Sequence, residues 1–342
     1  MRSRRRFLST SVAGAAGLAL PAVASPALIK PPRVREGDLV GLLAPGGAME
    51  DAQIERAVRN IESIGLRVKL GDNVRLRRGN YAGTPAQQVA DLHAMFLDRE
   101  VRAIWSGRGG SGAALLLPLL DYGLIRRNAK VLVGFSDTTA LHLALQRYAG
   151  LVTFHGPSGI STFSPYSVEQ LRRALMDASA PRVITGAAEN EALAATRPQF
   201  MPKLIRGGMA VGPLVGGNLA TLVSLVGTPY AARLRGAIVF LEDVAEPPYR
   251  VNRMLTQLAQ SGSLNGVAGV MLGVFTRTDL PAGEATLTLE ETLIDRLEPL
   301  GVPVRYGFSF GHVAHHFTIP VGVRARMDAD AGTLTLLEGG VA

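Results

Sequence analysis

The spacing of apolar and polar positions divides the chain into two halves of different texture. In the first, short apolar runs alternate with stretches whose apolar residues recur every three or four positions. Leu39-Val40-Gly41-Leu42-Leu43-Ala44 runs into Pro45-Gly46-Gly47, as a buried strand runs into a loop. Ile54, Val58 and Ile61 follow at helical spacing, and Arg67 to Leu70 reads as a short second strand. Thr84-Pro85 opens another helix: proline suits the first helical position, and Gln87 completes a capping box with Thr84. Its apolar face is Val89, Leu92 and Phe96. Ala103-Ile104-Trp105 is a third strand, Val131 to Phe135 a fourth, and Thr138 to Tyr148 a helix. This alternation predicts an α/β domain over residues 35–164, a parallel sheet with helices on both faces.

The second half has another pattern. Residues 165–204 are polar, carry helical stretches and are broken by Pro181, Pro198 and Pro202. They read as a connecting segment. Runs rich in glycine and β-branched residues follow, at Ala237 to Leu241, Val267 to Phe275 and Thr333 to Leu337, with a helix from about Tyr249 to Gln260. The expectation is a second, strand-rich domain over 205–342, α+β and barrel-like.

Composition adds a few constraints. Of the 342 residues, 47% are hydrophobic and 19% charged, a normal globular balance able to bury a sizeable core. The first residues read as a targeting segment. Ser3-Arg4-Arg5-Arg6-Phe7-Leu8 precedes an Ala/Gly-rich apolar run from about Val12 to Val23, and Ala22-Val23-Ala24 offers small residues two apart. This predicts a twin-arginine signal peptide over 1–24, use of the twin-arginine export machinery and a periplasmic location. The alternative, a retained membrane anchor, is disfavoured by a run shorter than the roughly 20 residues of a span. The formal charge of +8 is halved when Arg2, Arg4, Arg5 and Arg6 leave with the signal. With no basic stripe interleaved with aromatics, nucleic-acid binding is not expected. The absence of cysteine excludes disulfides, a thiol nucleophile and thiolate metal sites.

Four patches could carry chemistry. Gly134-Phe135-Ser136-Asp137-Thr138 lies at a strand-to-helix turn, the setting of a nucleophile elbow, although the second glycine of G-x-S-x-G is missing. Such a turn exposes the hydroxyl and aims helix-start amides at a developing oxyanion. A plain helix N-cap would use the same residue types. Ser106 to Gly112, rich in glycine, could cradle a phosphate, supply half of an oxyanion hole or be a simple turn. Leu241-Glu242-Asp243 puts two acids at the end of an apolar strand. Gly311-His312 opens a segment with three of the six histidines, His312, His315 and His316. A metal site there is disfavoured, because H-E-x-x-H is missing and no acid is suitably spaced. His315 and His316 precede a strand and are expected at the surface.

Taken in order, these pieces resemble the LD-carboxypeptidase family, which includes the microcin C immunity peptidases. The resemblance runs from about 38 to 325. It rests on Ala44-Pro45-Gly46, Arg108-Gly109-Gly110-Ser111-Gly112, Gly134 to Leu141, Thr153-Phe154-His155-Gly156-Pro157, Gly216-Gly217-Asn218-Leu219, Phe240 to Arg250, Gly311-His312 and Pro320-Val321-Gly322. Ser111 stands where the family often has Tyr, and Ala245 where Gly is common. The resemblance implies Ser136 as nucleophile, His312 as general base and Glu242 as its orienting acid, in a site between the two domains. It implies an oxyanion held by the Asp137 amide and an amide of the Gly109-Gly110 loop, with no metal or cofactor. The implied substrate is a murein tetrapeptide cut before its terminal D-Ala; the implied assembly is a homodimer. The alternatives are the same chemistry on another amide, as in the microcin branch, and a non-catalytic binder of wall fragments. Exchange of the catalytic machinery for thiol or metal chemistry is not expected, so chelators and thiol reagents should leave activity intact.

Overall fold

Burial of apolar strands explains the first sheet. Leu39–Leu43 (β1) is buried at four of its five residues, and Val101–Ser106 (β3) and Val131–Gly134 (β4) are almost wholly buried. Strands covered on both faces read as apolar runs, as parallel strands flanked by helices do. Arg67–Leu70 (β2) lies at one edge and alternates exposed with half-buried residues; Thr153–His155 (β5) follows β4. All five are parallel, in the order β2-β1-β3-β4-β5. The order reverses between β1 and β3, so the loops leaving these strands part and open a crevice at their C-terminal ends, where α/β sheets bind ligands. The computed structural model describes residues 26–278 and 286–342; the signal peptide expected over 1–24 lies outside them.

The helices between these strands start as their sequences require. In Pro85–Leu97, Thr84 Oγ1 accepts from the Gln87 amide, and Gln87 Oε1 accepts from the Thr84 amide. Asp51–Glu62 buries Ile54, Ala57 and Ile61 on one face. The helix after β4 is not uniform. A 3₁₀ turn at Ser136–Thr138 leads into Thr139–Ala144 and then a π turn at Leu145–Ala149, closed by Gly150 at φ 65°.

Eight strands build the second sheet. They are Arg182–Ile184 (β6), Lys203–Arg206 (β7), Met209–Asn218 (β8), Ile238–Glu242 (β9), Gly269–Val274 (β10), Val304–Gly311 (β11), Arg324–Asp328 (β13) and Thr333–Leu336 (β14). Their order is β6-β14-β13-β8-β9-β10-β11-β7. The central four, β8 to β11, are parallel, and the outer pairs are antiparallel. Among the described residues no ladder joins β6 to β7. The strand-rich half is therefore an open sheet rather than the barrel-like closure expected from sequence. Its parallel centre demands helices on its face: Leu219–Ser224, Pro248–Gln260 and Leu289–Leu297 supply buried Leu222, Leu255 and Leu293.

Chain order and spatial order diverge in two places. The segment 165–204 carries the helices Pro165–Met176 and Ala188–Leu193, but also β6 and the start of β7, so it joins the second sheet at both edges. Ile319–Val321 (β12) crosses back and pairs antiparallel with β5, Ile319 opposite His155. The two sheets also share one core. Leu141 and Leu143 from the helix after β4 belong to the same cluster as Leu219 and Leu222 from the helix after β8. No helix among the described residues is long and apolar enough to cross a membrane.

Candidate active site

The backbone of Ser136 is bent into the left-handed region, φ 60°. A non-glycine residue held there costs on the order of 1–2 kcal/mol and persists only where its surroundings force it. Those surroundings are visible. Gly134 lets the turn press against β3: a Cβ at that position would lie 2.8 Å from both Ser106 Cβ and Thr138 Oγ1. Thr138 Oγ1 donates to Ser106 Oγ at 3.1 Å, and Ser106 Oγ donates to the Arg108 carbonyl at 3.0 Å. The strained turn and the glycine-rich loop are thus tied together.

That loop lies over the serine. A Cβ on Gly109 would fall 2.9 Å from Ser136 Oγ, and one on Gly110 would fall 2.6 Å from the Gly47 amide nitrogen. The Gly109 carbonyl is occupied by the Gly47 amide at 3.0 Å. The amides of Gly109, Gly110 and Asp137 donate to no protein acceptor among the described residues, which leaves donors on two adjoining loops free for a ligand oxygen. Asp137 turns its carboxylate away. Its Oδ2 accepts from the Ala113 amide at 2.8 Å, and burial raises its pKa above the usual carboxylate value. It anchors the far end of the glycine loop.

The other half of the site comes from β8 to β11. These parallel neighbours end at one edge, with Asn218 opposite Glu242 and Val274 opposite Gly311. His312 Nδ1 lies 2.7 Å from Glu242 Oε2. Glu242 is fully buried, its Oε1 has no protein partner, and His312 keeps 22% of its side chain exposed. Burial alone would lower the imidazole pKa, but the charge of Glu242 and the hydrogen bond to it outweigh burial, and the net direction is upward from 6.5. Gly311 makes the approach feasible: at φ 111°, a Cβ would sit 3.1 Å from Glu242 Oε2.

Asp243 serves a different purpose from its neighbour. It accepts from Asn218 Nδ2 and the Ala220 amide, both at 2.9 Å, and from its own neighbour's amide on Val244 at 2.8 Å. Burial, and then the charge of Glu242, push its pKa up to about 6. These bonds lock the ends of β8 and β9. The Asn218 amide in turn donates to Thr139 Oγ1 at 3.0 Å, linking that lock to the helix behind Ser136.

The two halves meet at Phe135. Its ring lies 4.8 Å from the His312 ring, so the residue before the serine rests on the imidazole. The ring also meets His316 edge-on at 5.2 Å and His155 edge-on at 6.0 Å. His316 is 2% exposed, contrary to the surface position expected from sequence. Its amide donates to Ser167 Oγ and the next amide, on Phe317, donates to the Ser309 carbonyl, which draws this segment inward. His315 is partly exposed, and its carbonyl accepts from Asn190 Nδ2. Burial holds His316 down to about 3 and His155 well below 6.5, so both are neutral packing groups. Among the described residues no group of three His, Asp or Glu side chains could hold a metal ion.

The structure thus brings Ser136, Glu242, His312, Gly109, Gly110 and Asp137 to one junction between the sheets. Sequence reasoning did not give roles to Phe135, Gly47, the Asn218–Asp243 lock or Thr139. Asn218 stood in a glycine-flanked motif, which was a signal; the others depend on contacts between distant segments. The arrangement combines a hydroxyl on a strained turn, an imidazole backed by a buried carboxylate and free amides, the parts needed for acyl transfer.

Comparison with known proteins shows the family of both halves of the chain. The family models for the LD-carboxypeptidase N-terminal and C-terminal domains match residues 40–156 and 211–327. The chain is 35% identical over 317 residues to a probable murein peptide carboxypeptidase of Bacillus subtilis, covering 91% of this chain and 95% of that one. It is 34% identical over 300 residues to a murein tetrapeptide carboxypeptidase of Pseudomonas aeruginosa, covering 85% and 93%. A solved MccF-like protein of Bacillus anthracis superposes with a TM-score of 0.78 at 27% identity, covering 90% of this chain and 99% of that one. With both domain models matched in order and the parts of a serine hydrolase gathered where the two domains meet, the chain belongs to the LD-carboxypeptidase family of serine peptidases.

Proposed function

We propose that this protein hydrolyses the L,D-amide bond before the terminal D-Ala of murein tetrapeptides, with Ser136, His312 and Glu242 as its triad. The observation that carries the reading is the 2.7 Å Glu242–His312 pair set against Phe135, one residue from the strained serine. In this mechanism His312 takes the Ser136 proton as the hydroxyl attacks the scissile carbonyl. Glu242 fixes the tautomer with the proton on Nδ1 and offsets the charge of the imidazolium. The amides of Asp137 and the Gly109-Gly110 loop receive the oxyanion. His312 then protonates the leaving amine, and water cleaves the acyl-enzyme on the same base.

The substrate class is supported by the murein peptide names of the relatives in Bacillus subtilis and Pseudomonas aeruginosa. A second reading, hydrolysis of another amide, is supported by the likeness to the MccF-like protein. Incubation with purified murein tetrapeptide, followed by mass measurement of released D-Ala, separates the two. We expect release by the wild type and a loss on the order of 10³-fold or more in Ser136→Ala, with the fold intact. Failure of the wild type to release D-Ala rejects the murein assignment.

A further inference from the structure

A carboxypeptidase must recognise the free carboxylate of the residue it removes. In an acyl-transfer site of the kind proposed above, the leaving amine sits beside the general acid, and the carboxylate of a leaving amino acid lies one α-carbon farther on. A cation that reads it must therefore stand on the histidine side of the site, away from the oxyanion loops. We propose that Arg277 is that cation and binds the terminal carboxylate of the leaving residue.

Its position follows from the sheet. β10 lies between β9, which ends at Glu242, and β11, which delivers His312. Arg277 leaves the same edge three residues after Val274, which pairs with Gly311. The backbone there is fixed with unusual care. Arg277 has φ 54° and Ala245 has φ 60°, two of the three left-handed non-glycine residues among those described. The turns that carry them are laced together: the Thr276 amide donates to the Asp243 carbonyl at 3.2 Å, and the Ala245 amide donates to the Thr276 carbonyl at 2.8 Å. The third such residue is Ser136 itself. At Arg277 this strained conformation fixes the direction in which the long side chain leaves the sheet edge.

The guanidinium is also available. Among the described residues no carboxylate forms an ion pair with Arg277, whereas its cationic neighbours are engaged. Lys203 pairs with Glu290 at 3.1 Å and Arg250 with Glu246 at 2.7 Å. Arg277 borders a cavity of about 390 Å³ with Met201, Pro248, Leu293 and Tyr306, beside rather than around Ser136 and His312, so its side chain faces open space next to the site. Its charge is felt at His312, where it acts to lower the imidazole pKa. Arg108 stands on the glycine loop, on the oxyanion side, and donates to the Ala48 carbonyl at 3.2 Å. A planar fork facing a carboxylate gives a paired, charge-assisted contact.

This assignment rests on the carboxypeptidase reading, and binding and turnover test the two separately. Ser136→Ala protein is titrated calorimetrically with murein tetrapeptide as the free acid and as its C-terminal amide. The free acid should bind on the order of 10- to 100-fold more tightly. Adding Arg277→Gln should remove that preference by weakening the acid alone, Arg277→Lys should restore part of it, and Arg108→Gln should leave it in place. Acid preference that survives Arg277→Gln, or that is lost in Arg108→Gln instead, overturns the assignment, as does binding of neither form. Preferential binding of the acid by a wild type that releases no D-Ala would reject the proposed activity while leaving Arg277 as the carboxylate site.

Discussion

At Ser136, placement of the hydroxyl and stability of the backbone are opposed. The left-handed φ of 60° disfavours any side chain, so Ser136→Gly should relieve strain that Ser136→Ala retains. After the entropy penalty of glycine, the gain is about 1 kcal/mol; thermal melting should place the glycine variant above both wild type and the alanine variant, with turnover absent in both mutants. The histidine sets the pH response. A general base must be neutral, so the rate should rise with pH through the His312 pKa, which Glu242 holds above 6.5. Glu242→Gln removes the charge that raises it. Its rate–pH profile should show the acid limb displaced to lower pH and a plateau reduced on the order of 10³- to 10⁴-fold; an unmoved limb would assign that limb to another group. Residue types were legible here because Ser136, Glu242 and His312 each lie at or just beyond the end of a strand. The burial of His316 was not, since its amide and that of Phe317 bond to Ser167 and Ser309, partners that the spacing of histidines does not reveal.

Among elements, the loops after β1 and β3 matter most, because they meet over the serine at the point where strand order reverses. Gly109 and Gly110 are adjacent but do different things. A Cβ on Gly109 would meet the Ser136 hydroxyl at 2.9 Å, and its backbone is outside the left-handed region. Gly109→Ala should therefore keep the fold and lose about 10²-fold in rate by displacing the Ser136 hydroxyl, the proposed nucleophile. Gly110 has φ 151°, and a Cβ there would strike the Gly47 backbone at 2.6 Å. Gly110→Ala should lower the melting temperature markedly. Equal melting losses in the two variants would contradict this division. Strands β1 to β4 and the Thr84 capping box were readable because local pattern and burial agree. β8 was hidden by its glycines: Gly216 and Gly217, at φ 158° and 141°, carry no side chain to alternate, and their bareness is needed for the close approach of Phe240 and Thr139. The pairing of β12 with β5 was hidden for another reason, since six strands of the second sheet, β6 to β11, lie between them in the chain.

For the molecule as a whole, three buried histidines behind Phe135 bear on acid tolerance. Burial holds His142 to about 4, His316 to about 3 and His155 lower than its ordinary value, while unfolding returns each to about 6.5. Below pH 6.5 the unfolded chain therefore binds more protons, and these groups subtract stability progressively as pH falls toward their folded values. Asp137 and Asp243, raised by burial, act in the opposite sense over part of that range. His316→Leu isolates one contribution: its melting temperature should fall less steeply than that of wild type between pH 6.5 and 4, a difference on the order of a few kcal/mol at most. Parallel slopes would show that His316 is not held neutral. The return of β12 to the first sheet has a consequence for biosynthesis. A chain emerging from the ribosome can complete β1 to β5 early, yet the outer edge of β5 stays bare until Ile319–Val321 has been made. His312 arrives on the same late stretch. A polypeptide interrupted before Ile319 thus lacks the strand that seals the sheet carrying Ser136, and one interrupted before His312 lacks the proposed base as well, so the last part of translation completes both the sheet and the proposed site.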